Sequence, residues 1–186
     1  MKHVVRKLYW DYENEEKWLN KMAAKGMHMD GYSWGRYTFS EGEPGKYIYR
    51  LELLENLASS EESKAYIRFL EESGVEHVAS YMRWVYLRKK AVDGEFEMYT
   101  DIESKMKHFK RVNTFWLTLA MAEIAIGCSN VAIAASNMSS DSASNLIGTN
   151  FIMGMLCIVL GLIFLLISRK FRKRIRMLKK DAEVHQ

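Results

Sequence analysis

The chain has 186 residues, of which 48% are hydrophobic and 27% charged, and its formal net charge is +4. The charge is uneven, because residues 1–111 carry 19 basic and 19 acidic side chains and are neutral overall. A neutral N-terminal part argues against a nucleic-acid partner. The two cysteines lie in separate apolar runs, and the five histidines are scattered. We therefore expect no disulfide framework, no metal and no other cofactor.

Residues 1–104 are predicted to form one cytoplasmic α+β domain, because strand-like and helix-like segments alternate in them. Asp11 is placed to cap a helix that runs to Lys25 and stops at Gly26. Ser59 and Glu62 form a capping-box pair before a second helix that ends at Gly74. The remaining segments are strand-like: His3–Trp10, the stretch from Met27, Arg36–Ser40, Lys46–Leu54 and His77–Arg88. Phe96–Thr100 follows a turn around Asp93 and Gly94.

The pattern strand, helix, strand, strand occurs twice, which suggests a duplicated β-α-β-β unit. Residues 18–26 align without a gap on residues 66–74. Residues 35–39 are aligned on 82–86, and residues 4–8 on 48–52. Such a repeat predicts a two-layer fold, in which two helices cover one face of an antiparallel-rich sheet.

Two apolar runs follow, at 113–135 and 146–168, and each is long enough to cross a bilayer as a helix. The alternative, a pair of buried helices in a soluble domain, is disfavoured because both runs are apolar on every face. Basic residues lie before the first run and after the second, whereas the loop at 136–145 carries only Asp141. The positive-inside rule then puts both termini in the cytoplasm.

The segment at 100–112 is predicted to be a connecting helix that continues into the first span. Thr100 and Glu103 match a capping box at its start. Residues 169–186 form a basic tail, in which six residues suit contact with anionic lipid: Arg169, Lys170, Arg172, Lys173, Arg174 and Arg176.

The motif from Trp18 to His28, the segment from Gly35 to Leu53 and the segment from Tyr99 to Arg111 resemble the bacterial domain of unknown function 2812. The resemblance covers nearly the whole chain. It implies a small bacterial membrane protein, commonly encoded beside a PadR-type repressor. It implies no activity, cofactor or catalytic residue.

Glu123 is the first candidate functional residue, since an acid inside an apolar span is costly. One interpretation is a proton-titrating or partner-pairing site, and the other is a protonated or partly hydrated acid that the span tolerates. Small residues share its helical face, including Gly127, and a similar stripe on the second span contains Gly154 and Gly161. These stripes suit close packing within the hairpin or, alternatively, a homodimer.

Four arginines that recur at matching places in the aligned repeat are candidates for a surface that binds an anion or a partner peptide: Arg6, Arg36, Arg50 and Arg83. The alternative is a solvated face paired with acids such as Glu52. The carboxylate pairs Glu15/Glu16 and Glu61/Glu62 lie at predicted helix starts, where the helix dipole explains them. No catalytic motif is recognisable, and we do not expect an enzyme.

These features together predict a membrane-tethered cytoplasmic regulatory or signalling module in a bacterial cell membrane. It would contact membrane lipids and relay a membrane or ligand signal to a protein partner. The alternative is an accessory subunit of a membrane transporter or other membrane complex. A third hypothesis is binding of an anionic metabolite by the arginine face.

Overall fold

The computed structural model describes residues 2–99, 101–137 and 144–184. It divides into two units, Met1–Asp101 and Ile102–Gln186. The helices and strands of the first unit are β1 Lys2–Arg6, α1 Tyr12–Ala23, β2 Met27–Ser33, β3 Arg36–Glu41, β4 Tyr47–Leu53, α2 Glu61–Glu72, β5 Glu76–Tyr81 and β6 Trp84–Lys90. The second unit contains α3 Ile102–Ser136 and α4 Ser144–Val184.

The six strands form two antiparallel sheets with the same topology. The strand order is β1-β3-β2 in the first sheet and β4-β6-β5 in the second. In each half the first strand pairs with the third, and the last two strands form a hairpin. The predicted duplication of a β-α-β-β unit is therefore confirmed at the level of the fold.

Equivalent residues in the two halves are 48 positions apart from the helices onward. Gly26 and Gly74 both have positive φ after the helix, and Trp34 and Met82 both have positive φ in the hairpin turn. The register shift in β2 skips Asp30, and the shift in β5 skips the residue 48 positions later. Two identical irregularities at one spacing support duplication more strongly than the low residue identity does.

This spacing corrects two of the alignments made from sequence. Residues 35–39 correspond to 83–87, so the alignment on 82–86 is wrong by one residue. Arg6 lies opposite Arg36, whereas Leu53 lies opposite Trp84. Arg6 therefore corresponds to Leu53 and not to Arg50, and the four arginines do not occupy matching places.

The helix starts follow from local hydrogen bonding. The Asp11 carboxylate accepts a hydrogen bond from the Glu13 N–H at 3.1 Å, as its position predicted. At α2 the cap is Ser60, whose hydroxyl accepts from the Ser63 N–H at 3.2 Å, so the predicted cap at Ser59 is one residue too early.

The two helices pack against opposite faces of the second sheet. In β6, Val85 and Leu87 belong to the cluster under α2, whereas Tyr86 belongs to the cluster that contains Leu19 of α1. We expected one sheet with both helices on one face. The difference arises because three consecutive residues of β6 are apolar, and a sheet that is apolar on both faces needs a covering layer on each.

The connecting helix and the first apolar run form one unbroken helix, α3, and the basic tail continues the helix of the second run in α4. Both helices are long and apolar enough to cross a membrane, and they form a hairpin. Large apolar side chains are exposed along them, including Met121, Ile126, Phe151, Leu156 and Leu166. Thr100 of the predicted capping box and residues 138–143 of the loop lie outside the described residues.

Candidate functional surfaces

Glu123 is half-buried on α3, in the N-terminal half of the apolar run at 113–135. Its carboxylate lies close to the Cys157 thiol on the neighbouring helix α4. The acid therefore lies at the contact between the two helices, beside the only cysteine of α4.

The glycines of the two stripes face each other across this contact. A Cβ on Gly127 would lie 2.8 Å from the Gly154 carbonyl oxygen, and a Cβ on Gly154 would lie 2.8 Å from the Gly127 carbonyl oxygen. A Cβ on Gly161 would lie 2.7 Å from the Cγ1 of Ile124. These glycines are used in packing within one chain, so a homodimer would have to use other residues.

The four candidate arginines do not form one surface. Arg6 and Arg36 are exposed and directly opposite each other on the outer face of the first sheet. Arg50 donates hydrogen bonds to the Phe96 carbonyl at 2.9 Å and to Glu16 at 3.1 Å. Arg83 donates twice to the Leu54 carbonyl, at 3.0 and 2.7 Å. Arg50 and Arg83 thus tie loops to the second sheet, and only the first pair faces solvent.

Of the six basic tail residues that were predicted to contact anionic lipid, five are exposed and one, Lys170, is half-buried. The tail also packs within its own unit. Phe171 is fully buried, with its ring 6.3 Å from that of Phe109, and the Ser168 hydroxyl donates to the Asn113 side chain at 2.8 Å. The tail residue Phe171 therefore lies inside the hairpin, whereas five of the six basic side chains remain exposed.

A buried carboxylate at the centre of the first unit was missed by the sequence analysis. Glu15 of α1 is 7% exposed and accepts hydrogen bonds from the hydroxyls of Tyr37 at 2.6 Å and Tyr86 at 2.7 Å. Burial raises the pKa of Glu15, while these two hydrogen bonds act in the opposite direction. Burial and the neighbouring Glu15 raise the pKa values of both tyrosines. The network thus joins one helix to one strand of each half.

A second buried glutamate shows the same chemistry. Glu52 of β4 is 3% exposed and accepts hydrogen bonds from the hydroxyls of Tyr66 and Tyr99, both at 3.0 Å. The dipole explanation for the pair Glu15/Glu16 fits the place of Glu15 in the first turn of α1 but does not account for the contacts of either side chain. Glu15 is buried, and Glu16 pairs with Arg50. The available sequence signal was the helical spacing, because Glu15 precedes Leu19 by four residues and so lies on the buried face.

The two hairpin turns carry large apolar side chains in a conformation that normally favours glycine. Trp34 has φ 47° and is 81% exposed, and Met82 has φ 55° and is 65% exposed. Such a backbone conformation costs on the order of 1–3 kcal/mol at a non-glycine residue. Both strained residues thus present large apolar side chains to solvent.

The turns lie side by side and form an apolar end of the domain, which we call the tip patch. The Trp34 ring is 5.8 Å from that of Tyr81, which precedes Met82. The Ala58 N–H donates to the Met82 carbonyl at 3.1 Å, which brings the exposed Leu57 beside it. Leu8 packs next to Gly35 in the other turn. The tip patch thus comprises Leu8, Trp34, Leu57, Tyr81 and Met82.

An open groove of about 690 Å³ begins at the tip patch and runs between α2 and β5. Its floor includes Ile67 and the hydrogen-bonded pair His77 and Ser80, whose side-chain atoms are 2.7 Å apart. Its helix side carries charges of both signs, from Glu61, Lys64, Arg68 and Glu71. Lys64 is paired with Glu61 at 2.8 Å. The groove offers apolar contact together with hydrogen-bond donors and acceptors.

Among the residues that the structure describes, no three His, Cys, Asp or Glu side chains are grouped so that they could hold a metal ion.

The fold and these surfaces define a class of protein: a duplicated α+β domain followed by a hairpin of two long apolar helices. A family profile described as protein of unknown function (DUF2812) matches residues 11–121, more than half of the chain. The chain belongs to this family, as its motifs suggested. No curated protein and no solved structure gives a significant match.

Proposed function

We propose that this chain is a membrane-tethered interaction module with a regulatory role, whose cytoplasmic domain docks a protein partner. In this proposal α3 and α4 cross a bacterial cell membrane, both termini are cytoplasmic, and the basic tail contacts anionic lipid. The module relays a membrane or ligand signal and catalyses no reaction.

The observation that carries the proposal is the tip patch. Four of its side chains are more than half exposed, and two of these are held in strained turns. Aromatic side chains and methionine are enriched at protein interfaces, and exposed apolar clusters mark sites of association. The soluble unit also has a complete core of its own, so the patch is not needed to stabilise it.

Site-specific photocrosslinking in native membranes tests the proposal. A photoreactive residue at position 34 or 82 of the full chain should give a discrete adduct with another protein. The same residue at Lys90, which is exposed at the far end of β6 from the turn, should not. Recovery of the uncrosslinked chain alone from both tip positions would refute the module.

The alternative, an accessory subunit of a transporter or other membrane complex, is favoured by the pair Glu123 and Cys157. An acid inside an apolar hairpin is by default a candidate functional residue. In this case the photoreactive residue would give adducts on the outward faces of α3 and α4, at Met121 for example, rather than at the tip patch. Glu123→Gln would then abolish the adducts.

A further inference from the structure

The groove beside α2 has a counterpart in the first half of the domain, and there the corresponding space is filled. Three groove residues, Lys64, Arg68 and His77, lie 48 positions after Glu16, Asn20 and Met29. In the first half, all three of these equivalents bind strand β4.

The contacts with β4 are specific and mostly to its backbone. The Asn20 side chain accepts from the Tyr49 N–H at 2.8 Å and donates to the Tyr49 carbonyl at 3.0 Å. The Glu16 carboxylate accepts from the Leu51 N–H at 3.1 Å. The Met29 N–H donates to the Tyr49 hydroxyl at 2.9 Å. The backbone edge of strand β4 is therefore bound along α1, and the side chain of Tyr49 is inserted between α1 and β2.

The inserted strand is well buried. Tyr49 is 1% exposed and Leu51 is 4% exposed, and both belong to the cluster around α1. The helix also covers the free edge of β4, because the order β4-β6-β5 leaves this strand at the end of its sheet. The first half of the domain thus shows that this fold can bind an extended segment beside the helix.

We propose that the groove between α2 and β5 binds an extended segment of a partner protein, which lies along α2 as β4 lies along α1 and inserts one aromatic side chain between Arg68 and His77. This inference rests on the proposed function, since it names the chemistry of the partner that an interaction module would dock.

The charges of the groove specify that partner further. In the first half, Glu16 pairs with Arg50 of the inserted strand at 3.1 Å. In the groove the equivalent of Glu16 is Lys64, so the residue next to the aromatic anchor should be acidic. Arg68 replaces Asn20 and supplies donors for a backbone carbonyl.

A second copy of this chain suits the groove less well. The strand equivalent to β4 in the first half is β1, where the register puts Lys2 in the place of Tyr49. The face that would be buried carries Lys2, Arg6 and Arg36, and burying these charges without partners is costly. The segment should therefore come from a different protein.

A designed peptide serves as the probe. It copies residues 46–53 of this chain with Arg50→Glu, and carries a fluorophore at its N-terminus. We expect saturable binding to the full-length protein in detergent micelles, measured by fluorescence anisotropy. Arg68→Ala in the protein, or Tyr49→Ala in the peptide, should weaken binding by about tenfold or more. Lys90→Ala, which changes an exposed lysine outside the groove, should leave it unchanged.

A charge exchange provides a second measurement that does not depend on loss of binding. Lys64→Glu should bind the unaltered peptide, with Arg50 retained, more tightly than the acidic peptide. Absence of saturable binding, equal binding by the Tyr49→Ala peptide, or no change of preference in Lys64→Glu would each overturn the inference. Self-association of the full chain that Arg68→Ala abolishes would also overturn it, because the occupant would then be a second copy.

Failure of this inference is distinguishable from failure of the proposed function. Adducts at position 34 without peptide binding would leave the module intact and remove the groove as its docking site. Peptide binding without any adduct at either tip position in native membranes would refute the proposed module and retain only the capacity of the groove to bind an extended segment.

Discussion

At the scale of single residues, Glu15 shows how a buried charge can join two halves of a domain. Its carboxylate receives one tyrosine hydroxyl from each half, from Tyr37 and from Tyr86. Burying a carboxylate is costly unless it is hydrogen-bonded, and the short distances of 2.6 and 2.7 Å satisfy it. The network requires both halves to be in place at once, so it favours one relative arrangement of them.

The raised pKa of Glu15 makes the stability of the protein depend on pH. The ordinary pKa of a glutamate is 4.5, and above this pH the side chain of Glu15 releases its proton in the unfolded chain. In the folded state Glu15 keeps the proton to a higher pH, because its pKa is raised. The stabilisation is therefore complete below pH 4.5 and is lost as the pH rises through the raised pKa. We expect the midpoint of thermal unfolding, followed by tryptophan fluorescence in detergent, to fall over this range in the wild type.

Glu15→Gln should flatten this dependence, because the amide does not titrate. Some slope should remain, since burial also raises the pKa of Glu16. Glu72→Gln is the matched control, as Glu72 is an exposed carboxylate on the other helix. An equal slope in wild type and Glu15→Gln would show that Glu15 is not the titrating group.

At the scale of elements, each of the two units contains a close contact between two of its helices or strands. In the first unit, α1 closes the edge of β4 through Asn20. In the second unit, α3 and α4 approach each other at Gly127 and Gly154, where no side chain separates the two backbones. Small residues permit such an approach, and contacts between the backbones then contribute to the packing of the hairpin.

A large side chain at this contact should disrupt the hairpin. Gly127→Leu would bring a Cβ to 2.6 Å from the Cγ1 of Ile158, so the helices must separate. We expect a loss of about 1–3 kcal/mol in the free energy of unfolding, measured by far-ultraviolet circular dichroism in detergent. Gly148→Leu on α4 is the control, because a Cβ there meets nothing within 4 Å. Equal stability of the two variants would contradict packing at Gly127.

At the scale of the whole molecule, the proposal of a membrane module rests on the apolar outward surface of α3 and α4. Apart from Glu123, the acidic and basic side chains lie outside the two apolar runs, with basic side chains before the first run and after the second. This distribution predicts that the chain enters the bilayer as a hairpin, with both ends on the cytoplasmic side.

Reporter fusions test this topology. A reporter that is active only in the cytoplasm should be active at either end of the full chain, and the chain should sediment with membranes in the absence of detergent. Lowering the positive charge after the second run, by changing Arg169, Lys170, Arg172, Lys173, Arg174 and Arg176 to glutamine, should lower the fraction of chains with this orientation. Activity at one end only, or a chain that stays in the supernatant, would contradict the hairpin in the membrane.

Much of the fold could be predicted because it follows from local rules. Asp11 caps α1 since a carboxylate before an apolar stripe satisfies the first N–H groups. The apolar runs and the repeat of strand, helix, strand, strand are likewise visible in the order of residues. The hairpin glycines could be named as packing residues, because small residues at helical spacing have one common use.

The rest depends on contacts between distant parts of the chain. The alignment of the halves failed by one residue because the turn residues Trp34 and Met82 share a conformation and no chemical likeness. The groove could not be foreseen, since it exists only where a strand fills one half and no equivalent strand fills the other.

The sequence by itself thus determined the α+β class, the duplication, the helix caps and the two apolar helices, because each depends on neighbours within a few turns or on composition. Only the tertiary structure decided that the helices cover opposite faces of a sheet, that Glu15 is buried between two tyrosines, and that the tip patch adjoins an open groove. These features arise from strand register and from contacts between residues far apart in the chain, such as the two hydrogen bonds of Glu15, which span 22 and 71 positions. Neither can be derived from a local pattern of residues.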